Sequence, residues 1–440
     1  MKCLIIAAGR GSRLSSKVDS KPLTRLLGVS LIERVILTAQ KSGLTDFYVV
    51  TGYNGLKVRQ YLDRFSQARN TSITHLVNDE WQKGNGVSVL KAKGLIRENF
   101  ILLMADHVIS ESALVNLTNE RIEDGNVLMV VDYGIRTNGL VDDNDATKVL
   151  VEDRKILDIG KNINNYNAYD TGIFLCSPAL LPAIEESLCD GDESLSGGIR
   201  VLAQKGKAET LDIKGGYWID VDDKKTFSNA EKKLLSTLSK TSDGPISTYI
   251  NRPISRRITR HLLSIDISPM YVTLFSFILS LVGGVFFLLG GYVNLVIGGL
   301  LSQIASIIDG CDGEMARLKF QVTEFSGWLD AVLDRYSDAF ILFALGYHVY
   351  SADGSVSVLF VCFLAIVGSF MNSYTADKYD GIMMRKLGPG KRYFRMGRDV
   401  RIFIVFLGVL GNQPFLVLAI IALLMNLENF RRVVVLYRNG

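Results

Sequence analysis

"DGCDGEMARLKFQVTEFSGWLDAVLDRYSD" occupies residues 309–338 and begins where a run of about twenty apolar residues ends. Carboxylates at a bilayer boundary are unfavourable unless something neutralises them, so ionisable residues placed there point to function. Asp309 and Asp312 are spaced i, i+3 and share one helix face; Asp330 and Asp334 are spaced i, i+4, with Asp338 one turn deeper. A short turn between two such helices would bring four carboxylates together. Hard oxygen ligands of this kind favour Mg²⁺, Mn²⁺ or Ca²⁺, and two such ions can clamp phosphate oxygens during a displacement. Gly313 and Ala316 leave a small-residue notch on the same side, wide enough for a nucleotide to approach.

Outward from this stretch, the sequence predicts six membrane spans, at roughly 268–290, 292–312, 327–350, 355–376, 399–411 and 414–436, judged against the ~20 residues a crossing helix needs. The turns near 290–293, 351–355 and 411–414 contain no Lys or Arg, whereas 313–326, 378–401 and the tail are basic. The positive-inside rule then puts both termini in the cytoplasm. Before the first span, "ISTYINRPISRRITRHLLS" (246–264) reads as an amphipathic helix on the membrane surface, and "SKTSDGP" (239–245) as a linker. The domain boundaries expected are therefore 1–238, 239–264 and 265–440.

Residues 1–230 have a different character. Short β-rich runs ("CLIIAAG", "DFYVVTGY", "FILLMAD", "VLMVVDY", "GIFLCS") alternate with helical patterns such as 30–42 and 55–68. That alternation predicts an α/β domain with a mostly parallel sheet covered by helices on both faces. The opening "LIIAAGRGSRLSSKVDSKPLTRLLG" is a strand followed by a glycine-rich loop. Gly9 and Gly11 let the backbone approach phosphates, whose charge Arg13 and Lys21 can meet. It lacks the G-K-[ST] of a Walker loop and the second half of a Rossmann fingerprint.

The totals narrow the classes. A formal charge of +4 over 440 residues gives no reason to expect nucleic acid as a partner. Cys3, Cys176, Cys189, Cys311 and Cys362 are scattered, with no zinc or disulfide pattern, which fits a reduced, cytoplasmic setting. The apolar run at the N-terminus is too short for a signal peptide.

Residues 309–334 resemble the CDP-alcohol phosphotransferase signature, D-x2-D-G-x2-A-R-x8-G-x3-D-x3-D, through Asp309, Asp312, Gly313, Ala316, Arg317, Asp330 and Asp334, with Ser326 at the second glycine position and Gly327 after it. The resemblance implies an all-α, six-helix transmembrane domain in which Asp309, Asp312, Asp330 and Asp334 hold metal, Asp334 is also the general base, and Gly313 and Ala316 flank the nucleotide. The N-terminal stretch resembles the sugar nucleotidyltransferase opening A-A-G-x-G-[ST]-R-L…P-K-P-L, with Ser20 where proline is usual. This implies a Rossmann-like nucleotidyltransferase domain. Within it, Ala8, Gly9, Gly11, Arg13 and Lys21 would cradle phosphates, with Lys21 also catalytic. Asp106 and Asp220 would hold Mg²⁺, Asn85 and Ser88 lie in a base-facing loop (78–90), and Lys148 and Lys161 would meet the acceptor phosphate.

A fusion makes chemical sense if one site produces the donor that the other consumes, which selects CTP. Arg395, Arg398 and Arg401, in a loop more basic than topology requires, would receive an acceptor that itself bears a phosphate. Over its whole length the chain resembles the bifunctional family that couples inositol-1-phosphate cytidylyl transfer to di-myo-inositol-phosphate-phosphate synthesis, an osmolyte route. The resemblance implies CTP, inositol 1-phosphate and CDP-inositol as substrates, Mg²⁺ or Mn²⁺ at both sites, a bilayer around the second domain and a homodimer through it. Two other readings stay open on the residues. One is a phospholipid synthase using CDP-diacylglycerol, with the front domain activating a headgroup or acting as a scaffold. The other is a transporter, whose charges would gather at the bilayer midplane rather than at one end.

Overall fold

The computed structural model describes residues 1–11, 20–134, 145–239, 244–387 and 397–439. The chain divides into two compact units, Met1–Leu234 and Leu235–Gly440.

The first unit is built on a nine-stranded sheet. Its strands are β1 (Lys2–Ala7), β2 (Asp46–Thr51), β3 (Ser72–Val77), β4 (Phe100–Met104), β5 (Val127–Asp132), β6 (Lys148–Glu152), β7 (Lys155–Gly160), β8 (Ala168–Cys176) and β9 (Ala208–Asp212). They lie in the order β3-β2-β1-β4-β8-β5-β9-β7-β6. β1 pairs in parallel with β2 and β4, as an apolar strand buried on both faces should. Helices Leu31–Lys41 and Gly55–Arg69 fall where the periodicity predicted them, the first capped by Ser30, whose Oγ accepts from Glu33 N.

The expectation of a mostly parallel sheet needs correction. β8 enters between β4 and β5 antiparallel to both, and β6 and β7 form an antiparallel ribbon at the edge, so the sheet is mixed. Strand direction is not written in apolar content: "GIFLCS" is equally buried either way, and only the chain path through the preceding hairpin sets its sense. A separate two-stranded ribbon, His107–Ile109 against Trp218–Asp220, matters more for function because it pairs Asp220 with His107.

The second unit is helical: α1 (Arg252–Ser264), α2 (Pro269–Leu288), α3 (Tyr292–Leu318), α4 (Glu324–Asp353), α5 (Val356–Leu387), α6 (Arg398–Leu410) and α7 (Pro414–Asn439). Six spans are expected; among the described residues, four helices qualify by length and composition: Pro269–Leu288, Tyr292–Leu318, Val356–Ala376 and Pro414–Arg438. The N-terminal half of α4 carries Glu324, Asp330, Asp334, Arg335 and Asp338, and α6 has only 13 residues, about 20 Å of helix. The buried stripe of α1 is polar at Arg252, Ser255 and Thr259, and apolar at Leu263.

Ser326, the departure from the signature, is structural. It sits at the third position of α4 in a capping box: its N donates to Thr323 Oγ1 at 3.1 Å, and Thr323 N donates to Ser326 Oγ at 3.2 Å. The turn before it is fixed as well. Phe320 takes a left-handed conformation, Gln321 N donates to Ala316 O at 2.8 Å, and Lys319 Nζ reaches Asp266 at 2.7 Å.

Close approach of α2 and α3 depends on Gly283 and Gly298. A Cβ at 298 would lie 2.7 Å from Gly283 O and 2.6 Å from Phe287, so only glycine allows this crossing. Gly298→Leu should therefore destabilise the helical unit by about 1–3 kcal/mol or more. Gly327→Ala, in a helix position where a Cβ meets nothing within 4 Å, should stabilise it by roughly 0.5–1 kcal/mol. Thermal unfolding in detergent measures both, and equal effects would remove the packing argument.

Candidate functional sites

In the first unit the carboxyl ends of β1 and β4 open onto a cavity of about 330 Å³, beside a second of about 250 Å³. This is where open α/β sheets bind ligands. Asp106 follows β4, and the ribbon at Trp218–Asp220 delivers Asp220 opposite it. Lys21 lies between the carboxylates. Its Nζ is 2.5 Å from Asp106 Oδ2, bonds Asp222 Oδ1 and lies 3.6 Å from Asp220 Oδ1. His107 Nδ1 is 2.9 Å from Asp106 Oδ1, and its ring stacks on Trp218, whose indole N–H donates to Asp132 at 3.1 Å. Gly11 must be glycine: its φ is +63°, and a Cβ would lie 2.4 Å from Lys21 Cβ.

The electrostatics follow from this crowding. Burial alone would lower the Lys21 ammonium, but Asp106, Asp220 and Asp222 together raise it above the ordinary lysine value. Burial likewise disfavours the Asp106 carboxylate, and the charges of Lys21 and His107 overcome that and hold it well below the usual range. Asp220 is pushed up to about 6 by burial, with the neighbouring carboxylates adding to the shift, and Asp170 is pushed up to about 6 by burial. Asp106, His107 and Asp220 each offer a ligand atom within 4.8 Å of the others, and Asp220 Oδ1 is buried without a hydrogen bond. An oxygen in that state suits a divalent cation.

Of the other predicted residues, Gly9 lines both cavities, and Ala8 is buried with its carbonyl accepting from Tyr53 N. Asn85 lines the larger cavity, with Oδ1 held by Leu195 N at 2.8 Å, and Lys161 lines it while paired to Asp145 at 2.7 Å. Ser88 is buried, accepting from Asn78 Nδ2, and Lys148 Nζ sits 5.1 Å over the Tyr166 ring. Arg13 and Arg395 lie outside the described residues. Sequence reasoning missed Asp222, although the spacing i, i+2 from Asp220 in an extended segment was a signal for it.

In the second unit, α3 and α4 bring Asp309, Asp330 and Asp334 to within 4.8 Å of one another, counted by one oxygen each. Asp312 shares the helix face, but its Oδ2 accepts from Thr273 Oγ1 at 2.5 Å. Ser276 Oγ donates to Asp309 at 3.3 Å. Gly313 and Ala316 follow on α3, where a Cβ at 313 would meet only Arg317 Nη1, at 3.3 Å. Arg398, from the start of α6, enters the cluster: Nη1 is 2.7 Å from Asp334 and 3.1 Å from Asp309, and Nε donates to Asp338 at 3.0 Å. Arg401 Nη2 donates to the other Asp338 oxygen at 2.5 Å and is buried. Arg398 Nη1, though close to two carboxylates, is buried and has no hydrogen bond of good geometry. A group of three carboxylates is suited to a divalent cation, and a guanidinium edge is suited to an oxyanion.

Two families match separate stretches of the chain: one described as MobA-like NTP transferase domain over residues 3–208, the other as CDP-alcohol phosphatidyltransferase over residues 266–435. Nearly end to end, the chain is similar to a bifunctional IPC transferase and DIPP synthase of Aquifex aeolicus, 33% identical over 95% of this chain and 94% of that one. A protein of the same name from Rubrobacter xylanophilus is 34% identical over 99% of this chain and 96% of its own length. Among solved structures, the inositol-1-phosphate CTP transferase from T. maritima gives a TM-score of 0.46 at 24% identity, covering 52% of this chain and 96% of that one.

The imidazole of His107 gives the first site a pH signature. Burial lowers its basicity, yet Asp220 and Asp106 raise it from 6.5 to about 9. A raised histidine stabilises the fold fully below its unfolded value and loses that contribution as pH rises through the folded one. Without divalent cation, the melting temperature of the first unit within the full chain should fall between pH 6.5 and about 9. His107→Gln should flatten that decline. A slope unchanged in the variant would show that the imidazole is not charged against these carboxylates.

Proposed function

The chain belongs to the bifunctional IPC transferase and DIPP synthase family, and from that premise we propose a two-step synthesis carried out on one polypeptide. Cytidylyl transfer from CTP to inositol 1-phosphate gives CDP-inositol and pyrophosphate. CDP-inositol then donates its inositol-phosphate group to a second inositol 1-phosphate, releasing CMP and leaving di-myo-inositol phosphate phosphate, an osmolyte precursor. The observation carrying this reading is that each unit holds its own carboxylate cluster, and each cluster is already gathered around a side-chain cation.

In the first step a phosphate oxygen of inositol 1-phosphate attacks the α-phosphorus of CTP, and the bond to pyrophosphate breaks. Lys21 neutralises the triphosphate, and the Gly9–Gly11 backbone lets it approach. Asn85 and Ser88 belong to the base-facing loop, Arg13 joins Lys21 on the nucleotide phosphates, and Lys161, on the cavity wall, meets the acceptor phosphate together with Lys148. In the second step the acceptor hydroxyl attacks the phosphorus that carries inositol, and the bond to CMP breaks. Asp334 takes the hydroxyl proton. The nucleotide lies against Gly313 and Ala316. The acceptor phosphate is received at Arg398, with Arg395 and Arg401; support is greatest for Arg398, whose Nη1 is without a hydrogen bond, while Arg401 is bonded to Asp338. Divalent cations, Mg²⁺ or Mn²⁺, held by Asp106 and Asp220 in one site and by Asp309, Asp312, Asp330 and Asp334 in the other, would supply charge neutralisation of the reacting phosphates.

The proposed organisation is a cytoplasmic nucleotidyltransferase domain (1–238), a linker with a surface-lying amphipathic helix (239–264) and a six-span transferase domain (265–440). Both termini are cytoplasmic, and the protein is a homodimer through the membrane. The absence of basic residues from three alternate turns supports the six-span topology over one of four.

Separable sites give opposite mutant phenotypes. Asp106→Ala should abolish CDP-inositol formation from CTP and inositol 1-phosphate while transfer from supplied CDP-inositol continues. Asp330→Asn should leave the first step intact and slow the second by about two or more orders of magnitude, as loss of a charge-stabilising group does. Product masses from purified protein with Mg²⁺ report each step separately. Loss of both activities in either folded variant would contradict the two-site reading.

A further inference from the structure

Helix α3 carries two functional stripes. Asp309, Asp312, Gly313 and Ala316 face the transfer chemistry, while Gln303, Gly310 and Glu314 form a second stripe along the i, i+4, i+7 rows. The segment just before the family match, which begins at residue 266, covers that second stripe. Glu314 is completely buried, and among the described residues its hydrogen-bond partners all come from α1. Arg252 Nη1 donates to Oε1 at 2.9 Å, Ser255 Oγ to Oε1 at 2.7 Å, and Thr259 Oγ1 to Oε2 at 2.7 Å. The spacing 252, 255, 259 is one face of a helix, so the three donors arrive as a set. Two further ties flank them: Gln303 Nε2 to Asn251 Oδ1 at 3.0 Å, and Ser247 N to Asp399 Oδ2 at 2.8 Å, at the start of α6.

A plain packing contact between helices would be apolar. A fully buried carboxylate held by three hydrogen-bond donors costs desolvation, and its worth lies in fixing one arrangement out of several. What it fixes here is visible. A cavity of about 130 Å³ is lined by Ser247, Asn251 and Arg252 together with Asp309, Asp334 and Arg398. Part of the wall of this carboxylate-lined cavity therefore comes from the segment that Glu314 holds. Arg398 shares that lining, whereas Gly313 and Ala316 are not among its residues.

We infer that Glu314 is a positioning residue, latching residues 247–259 onto α3 so that Ser247, Asn251 and Arg252 close the acceptor side of the transfer site. The inference rests on the functional reading above and deepens it. A segment latched only part of the time lowers the apparent acceptor affinity in proportion to the latched fraction, and leaves a donor bound on the other stripe alone.

The test uses the full-length protein in detergent, with CDP-inositol as donor and inositol 1-phosphate as acceptor. Glu314→Gln keeps the shape and removes the charge. Its acceptor KM should rise about ten- to a hundredfold, the factor expected for one lost charge-assisted contact. Donor KM should stay within about twofold, and cytidylyl transfer in the first unit should be unchanged. Asn251→Ala, which leaves Glu314 and its three donors in place, should raise acceptor KM in the same direction, and Arg252→Lys should retain most of the wild-type value. If Glu314→Gln or Asn251→Ala lowers the melting temperature and both KM values move together, or if neither moves, the latch is only a packing contact and the inference is overturned. A wild-type chain that transferred nothing from CDP-inositol would instead bring down the functional reading, and this inference with it.

Discussion

Carboxylates crowded together away from bulk water repel one another and lose hydration, so an arrangement of this kind persists only if positive charge is built into it. Both sites in this chain obey that constraint by the same device. Lys21 bridges Asp106 and Asp222 with Asp220 close by, and Arg398 bridges Asp309, Asp334 and Asp338. Around the first, a glycine with positive φ leaves room for the lysine stem. Around the second, a short helix brings its first residue to the carboxylates, and Arg401 satisfies the remaining Asp338 oxygen. Much of the local architecture follows from keeping these cations in place.

The two units solve the placement problem with different secondary structure. In the sheet, acidic groups come from the end of one strand and from a separate antiparallel ribbon, so residues more than a hundred positions apart meet. In the helices, periodicity does the work: spacings of three and four put Asp309 beside Asp312 and Asp330 beside Asp334. This is why the second site was more legible than the first. The signature spacing is itself the geometry, whereas Asp106 and Asp220 could be paired only through resemblance to a family.

Much of the fold was readable because apolar strands and long apolar helices announce themselves. The rest depends on information that hydrophobicity does not hold. The antiparallel sense of β8 is set by the hairpin before it. The burial of polar Arg252, Ser255 and Thr259 is set by a carboxylate on another helix, so a segment with the composition of a surface helix packs its polar side inward. Ser326 looked like a defect in a signature and proves to be a helix cap. Thr273 and Ser276, the partners of Asp312 and Asp309, lie in an apolar span where nothing in the pattern singles them out.

The turn from Lys319 to Thr323 has one more consequence. Its backbone is fixed by a left-handed residue, a return hydrogen bond to Ala316 and a capping box at the head of the next helix. The separation between the two acidic helices is thus set within the chain itself, by backbone conformation, a main-chain hydrogen bond and a side-chain cap. Rigidity of this sort moves the entropy of assembling the site from the moment of binding to the moment of folding. A preset gap would also weigh on the size of the ion it accepts. Octahedral ligation at short, nearly fixed distances tolerates a preset frame, while a larger ion with a looser, higher coordination number gains most from a frame that can yield. Any preference of this site between Mg²⁺ and Ca²⁺ would then be owed in part to a five-residue connection that itself contributes no carboxylate to the site.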